Sequence, residues 1–191
     1  RRTVIAVPAE RLRGDLPPEA EVPLTTPVGW RGAPASKPPG WPRGLRWVQT
    51  ESVGIDTFPP WLLDGPVVTC AKGSNAPAIA EYAMTAILMH EKRLDRIAVT
   101  MPSQWRQVEM GSVEGRTLGI AGFGSIGRAI ARLAKPFGMR VVAFRRGRWD
   151  EGGEGVEPAA SMAELFGQSD HLVLSMPATP ETRGIVGRDL L

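Results

Sequence analysis

"RTLGIAGFGSIGRAIARLAKPFGMRVVAFRR", residues 116–146, decides how this 191-residue chain folds. Leu118–Ala121 is a short apolar run, and Gly122, Gly124 and Gly127 follow it at G-x-G-x-x-G spacing. Ile126, Ala129, Ile130, Leu133, Ala134 and Phe137 then recur at helical spacing on one face. Gly138 closes that helix and Val141–Phe144 is apolar again. Three glycines alone are a weak signal; strand, glycine turn, amphipathic helix and second strand together predict a dinucleotide site. The first glycine permits the tight turn, the second lets backbone approach a pyrophosphate, and the third lets helix pack on strand. The helix start then offers unpaired N–H groups to the phosphates.

The second strand runs into Arg145, Arg146 and Arg148. Sites that take NAD place an Asp or Glu about 20 residues past the glycines, where it accepts hydrogen bonds from the ribose hydroxyls. No acid stands at this strand end; Asp150 comes several residues later. Without a carboxylate to repel it, a 2′-phosphate can be held by guanidinium groups through charge-assisted bonds. Arg145 and Arg146 are therefore the expected binders, with NADP(H) preferred and NAD(H) as the alternative.

Outward from this core, Ser161 and Glu164 form a capping-box pattern that opens a short helix, and Leu172–Met176 is an apolar strand ending at Pro177. Upstream, residues 77–94 are rich in Ala, Leu, Met and Ile around nearly the whole helix circumference to Met89. Such a helix is buried between domains or against another subunit, or is the central helix of one domain. Thr3–Val7, Glu21–Leu24, Leu45–Gln49 and Val67–Cys70 read as strands, with a short helix near Pro59-Pro60. Residues 27–44 are too dense in Pro and Gly for a regular helix. Strands alternating with helices imply a doubly wound parallel sheet.

Composition narrows the class. Apolar content of 42% suits a globular core, and the formal charge is only +3, with acids and bases interleaved. The single basic cluster is too short for a nucleic-acid face, and no apolar run is long enough to span a bilayer. One cysteine, Cys70, excludes internal disulfides and a cysteine-built metal site; the cytoplasm is the expected compartment. No initiator Met is present and "GRDLL" reads as the middle of an element, so a fragment is expected.

Four stretches carry a family pattern: "SVGID" (52–56), "NAPAIAEYA" (75–83), "GRTLGIAGFGSIGRAIARLAKPFGMRVVAF" (115–144) and "SDHLVLSMPATPETRGIVGRDLL" (169–191). In this order and spacing the chain resembles the D-isomer-specific 2-hydroxyacid dehydrogenases, which include glyoxylate/hydroxypyruvate reductases. The resemblance implies an α/β protein: a flavodoxin-like N-terminal unit, residues 1–95, on the substrate side, and a partial Rossmann domain, residues 96–191. It implies that Val53 and Gly54 offer backbone N–H groups to a 2-keto or 2-hydroxy acid carboxylate. It implies that Ser125 and Ile126 contact the pyrophosphate and that Pro177 and Thr182 lie beside the cofactor. A homodimer through helix 77–94 is also expected.

The pattern is incomplete in two respects. Residues 1–44 supply fewer elements than the family's N-terminal domain, and the family's catalytic Arg, acid and His fall beyond Leu191. In the family the His donates a proton as hydride arrives, and the acid keeps it protonated near neutral pH. No catalytic residue is therefore assigned, and the chain alone is expected not to turn over. His90 and His171 match no motif and are expected to be structural, as are the scattered tryptophans 30, 41, 47, 61, 105 and 149. The alternative function is a dinucleotide-binding regulatory or corepressor-like protein without turnover.

Overall fold

The computed structural model describes residues 4–6, 16–42, 44–55, 57–147, 149 and 155–190. Arg148 and Asp150 of the strand-end reading, Asp56 of the SVGID loop, and Thr3 and Val7 lie outside these. The chain divides into two compact units, Arg1–Lys72 and Gly73–Leu191.

In the first unit β1 (Leu24–Thr25), β2 (Trp47–Thr50) and β3 (Val67–Cys70) form a parallel sheet in that order, with Leu24 opposite Gln49 and Trp47 opposite Val67. Val48 and Thr50 point into the core while Trp47 is 42% exposed, the two-residue alternation of a half-buried strand. Three tryptophans close the other side of that core. Trp61 meets Trp30 and Trp41 edge-on at centroid distances of 5.7 and 4.8 Å. Each indole N–H has an acceptor: Trp30 donates to Thr25 Oγ1 (2.7 Å), Trp61 to the Pro34 carbonyl (2.8 Å) and Trp41 to the Asp64 carbonyl (3.2 Å). These bonds pin the Pro-rich segment, which forms a 3-10 turn at Pro27–Trp30. A second 3-10 turn occupies Pro60–Leu63. Among its described residues this unit has no α-helix, and Val4–Ala6 form no strand.

The second unit is a parallel sheet of β4 (Thr117–Ala121), β5 (Arg140–Phe144), β6 (Glu157–Pro158) and β7 (His171–Leu174), in the order β6-β5-β4-β7. Helix α1 (Ala76–Lys92) is followed by the short α2 (Leu94–Ile97); α3 (Ser125–Ala134) connects β4 to β5, and α4 (Met162–Gln168) leads to β7. The strand alternation sorts side chains to two cores. Leu118, Ile120, Val141 and Ala143 pack with α1 and α3, while Ala121 and Val142 pack with Met162 and Leu165 of α4. Helices thus cover both faces, as an all-parallel sheet requires.

Three expectations are refined. The resemblance assigns helix 77–94 to a unit of residues 1–95, whereas α1 packs on α3 within Gly73–Leu191, burying Ala76, Ala80, Met84 and Ile87. Its small alanines allow that close approach, and its apolarity alone did not reveal which neighbour it had. On α3 the buried set is Gly127, Ala129, Ile130, Ala131 and Ala134; Leu133 is 36% exposed, and Phe137, beyond the helix end, is 44% exposed, so the buried face is not the one the apolar spacing marks. At α4 the Ser161 hydroxyl accepts the Glu164 N–H (3.0 Å), but Glu164 reaches back to the Ala160 N–H (2.7 Å), one residue before the expected partner.

Candidate functional site

Ala121 ends β4, and the backbone turns at Gly122 with φ of +99°, in the region only glycine adopts freely. A Cβ there would lie 2.7 Å from the Ser175 carbonyl carbon, so the turn is sterically closed as well. A Cβ on buried Gly127 would lie 2.5 Å from the Gly122 carbonyl oxygen; the helix can follow the turn this tightly only with glycine. Gly124 is the contrary case. It is exposed, caps α3, and a Cβ there would meet nothing within 4 Å. Space outside Gly124 opens onto the first turn of α3, where Ser125 and Ile126 are half-buried. The first N–H groups of a helix have no partner inside it and favour an anion.

The loops after β5 and β7 flank this turn, because β4 lies between the two strands. Arg145 is half-buried and Arg146 exposed at the β5 end. Across the turn, Glu181 is held below the ordinary carboxylate range by the Thr179 hydroxyl, by a backbone N–H and by the charge of Arg146. An aromatic stack ties the β5 end to the glycine turn: Phe123 lies parallel to Trp149 at 5.2 Å, with the Arg128 guanidinium 4.9 Å from the Phe123 ring centroid. Such a stack was not apparent in the sequence; an aromatic inside the glycine turn and a tryptophan soon after the strand were its only signals.

After β7, Pro177 is exposed and Thr182 half-buried, and both line a cavity of about 360 Å³ with Leu174, Met176, Ile185 and Val186. The Thr182 hydroxyl donates to the Pro177 carbonyl (2.6 Å) and accepts the Thr179 N–H (2.8 Å), so it holds its own loop in shape. Val53 and Gly54 belong to the first unit, on the exposed loop after β2, where Ser52 Oγ donates to the Gly54 carbonyl at 3.0 Å.

A larger cavity, about 500 Å³, is lined by charged groups including His90, Glu91, Arg93 and Arg116. Arg116 precedes β4, so this cavity sits at the amino end of the sheet, whereas ligands of open α/β sheets bind at the carboxyl ends. His171 Nε2 lies 2.9 Å from Glu91 Oε1, both side chains 12% exposed, and the His90 ring meets His171 edge-on at 6.1 Å. This cluster ties the end of α1 to the start of β7, far from the glycine turn along both elements. At the same end Asp170 is held below its ordinary pKa by the Thr117 N–H (2.7 Å) and then by Arg116 (3.0 Å). Among the described residues no group of three or more His, Cys, Asp or Glu could hold a metal.

A sequence model of the D-isomer specific 2-hydroxyacid dehydrogenase NAD binding domain matches residues 84–191. The hydroxypyruvate reductase of Thermotoga maritima is 34% identical over 152 residues, covering 77% of this chain and 49% of that protein. The glyoxylate reductase of Thermococcus gammatolerans is 36% identical over 121 residues, covering 58% and 36%. The chain thus spans half or less of the length of these relatives. A solved glycerate dehydrogenase related protein from Thermoplasma acidophilum superposes on 95% of this chain and 64% of its own, with a TM-score of 0.62 and 28% identity. A glyoxylate reductase from Paecilomyes thermophila shares the fold at a TM-score of 0.73, over 95% of this chain and 58% of its own, with 22% identity. A match that runs through β4, α3, β5 and β7, and not through the glycines alone, makes this chain a member of the D-isomer specific 2-hydroxyacid dehydrogenase family.

Proposed function

We propose that the second unit binds a nicotinamide dinucleotide at the carboxyl ends of β4, β5 and β7, and that the intact protein interconverts 2-keto acids and D-2-hydroxy acids. The observation that carries this reading is the contrast inside the glycine turn. Gly122 and Gly127 are required by the protein's own packing, while Gly124 has open space where a Cβ would be, at the start of α3. A glycine that packing does not need, at a helix N-terminus, suits close approach by a pyrophosphate. Bound there, the nicotinamide would supply the hydride; this chain's own groups hold and orient. Amides of Ser125 and Ile126 take the phosphates, and Pro177 and Thr182 shape the wall beside them. Arg145 and Arg146 take a 2′-phosphate, which makes NADP(H) the preferred form. Val53 and Gly54 offer their amides to the substrate carboxylate, glyoxylate and hydroxypyruvate being the acids named for the relatives.

Two further features support the wider reading. Exposed Ile79, Tyr82 and Met89 make an apolar stripe along α1, suited to a homodimer. Cys70 is exposed as a free thiol, which suits a reducing compartment such as the cytoplasm. The direct test is calorimetric titration of the chain with NADPH and NADH, before and after Arg145→Asp. The substitution is expected to raise the NADPH Kd about tenfold to a hundredfold, the worth of one or two charge-assisted bonds, and to spare NADH. Equal losses for both cofactors would remove the arginines from the account.

A further inference from the structure

Ser175, the first residue after β7, meets the glycine turn through its backbone and through its hydroxyl, which also lies 3.5 Å from the Ala121 carbonyl oxygen. Its hydroxyl donates to the Gly122 carbonyl oxygen at 2.6 Å, and its backbone N–H extends the sheet by donating to the Ala121 carbonyl at 2.8 Å. From the opposite side, the Gly122 N–H donates to the Phe144 carbonyl at 2.8 Å. That same Gly122 oxygen is what a Cβ on Gly127 would strike, at 2.5 Å. One carbonyl is therefore where the ends of β4 and β7 and the first turn of α3 converge. Its direction sets the plane of the Gly122–Phe123 peptide, and two residues later the chain reaches the amides that open α3.

We propose that Ser175 is a positioning residue for the cofactor phosphates: its hydroxyl fixes the Gly122 carbonyl and, through it, the aim of the α3 N-terminal amides. This rests on the dinucleotide reading given above and adds to it a residue outside the glycine motif. Ser175 has no contact with the phosphates in this scheme; it acts through the turn. At a glycine with φ of +99°, the backbone has more freedom than any other residue would allow, so an external restraint has something to restrain. With that restraint lost, the turn still closes but presents its donors over a wider range of directions, and preorganisation for an anion falls. The effect is selective. A ligand that reaches the pyrophosphate site loses affinity, and one confined to the adenosine end does not.

The test uses Ser175→Thr and Ser175→Val, which share shape and differ by the hydroxyl, so packing and folding are matched between them. Calorimetry with ADP-ribose, which carries the pyrophosphate, and with 2′-AMP, which lacks it, reads the two ends of the site separately. The Val variant is expected to bind ADP-ribose about tenfold more weakly than the Thr variant, the worth of one half-buried hydrogen bond, with 2′-AMP unchanged. Equal ADP-ribose affinity in the two variants, or a parallel loss of 2′-AMP, would overturn the proposal. If the unsubstituted chain binds neither ligand, the dinucleotide reading itself fails and this inference fails with it.

Discussion

At the scale of single residues, the three glycines of the turn answer to different constraints, and substitutions separate them. Gly127→Ala forces a methyl to within 2.5 Å of the Gly122 carbonyl, a backbone atom that cannot swing away. A destabilisation of about 1–3 kcal/mol is expected from that overpacking, read as a lower urea midpoint at unchanged slope. An unchanged midpoint would mean that the turn is looser than described. Asp170 makes a pH prediction. Its native pKa lies below its ordinary value of 3.8, chiefly through the Thr117 N–H, so the stability it adds is present above that value and is lost as pH falls through its lowered native pKa. Asp170→Asn should lower stability at neutral pH and flatten the acid limb of a thermal-melt profile. A parallel downward shift of the profile at every pH would assign the loss to packing instead. The glycine spacing could be read from the sequence because its constraint is local. Ser175 and Glu181 could not, since their bearing on the turn depends on β7 lying beside β4.

At the scale of elements, α1 shows what periodicity leaves undecided. Residues 77–89 are apolar almost all round, and in the structure the two sides part company. Ala80, Met84 and Ile87 are buried against α3, while Ile79, Tyr82 and Met89 face outward. Hydrophobicity predicts burial without saying by what, and the helix that covers α1 is distant from it in sequence. Met84→Ala is expected to cost about 2–5 kcal/mol through the cavity it leaves between α1 and α3, measured by chemical denaturation. Tyr82, 76% exposed, should by contrast tolerate Glu with little change in monomer stability. If the stripe joins two copies of the chain, Tyr82→Glu shifts sedimentation from dimer to monomer; an unshifted dimer would place the contact elsewhere. Among the strands Val67–Cys70 has the bounds its composition suggests, whereas the expected Glu21–Leu24, Leu45–Gln49 and Leu172–Met176 are Leu24–Thr25, Trp47–Thr50 and His171–Leu174 in the structure.

At the scale of the molecule, the chain holds two parallel sheets, one in each compact unit. One unit holds the Val53–Gly54 loop; the other holds the glycine turn, the strand-end arginines and the β7 loop. Parallel order and glycine geometry were legible because βαβ connections permit few topologies. The tryptophan-pinned segment 27–44 was not, since 3-10 turns and indole bonds to Pro34 and Asp64 leave no periodic trace. On the function proposed above, Gly124 is glycine for the sake of a ligand, since no packing among the described residues requires it. The most direct measurement is therefore the thermal midpoint and NADPH affinity of Gly124→Asp, side by side. Asp is a good helix N-cap and meets open space here, so the midpoint should hold or rise, while its carboxylate occupies and repels the phosphate position and NADPH binding is lost. Undiminished NADPH binding in a folded Gly124→Asp chain would contradict the account.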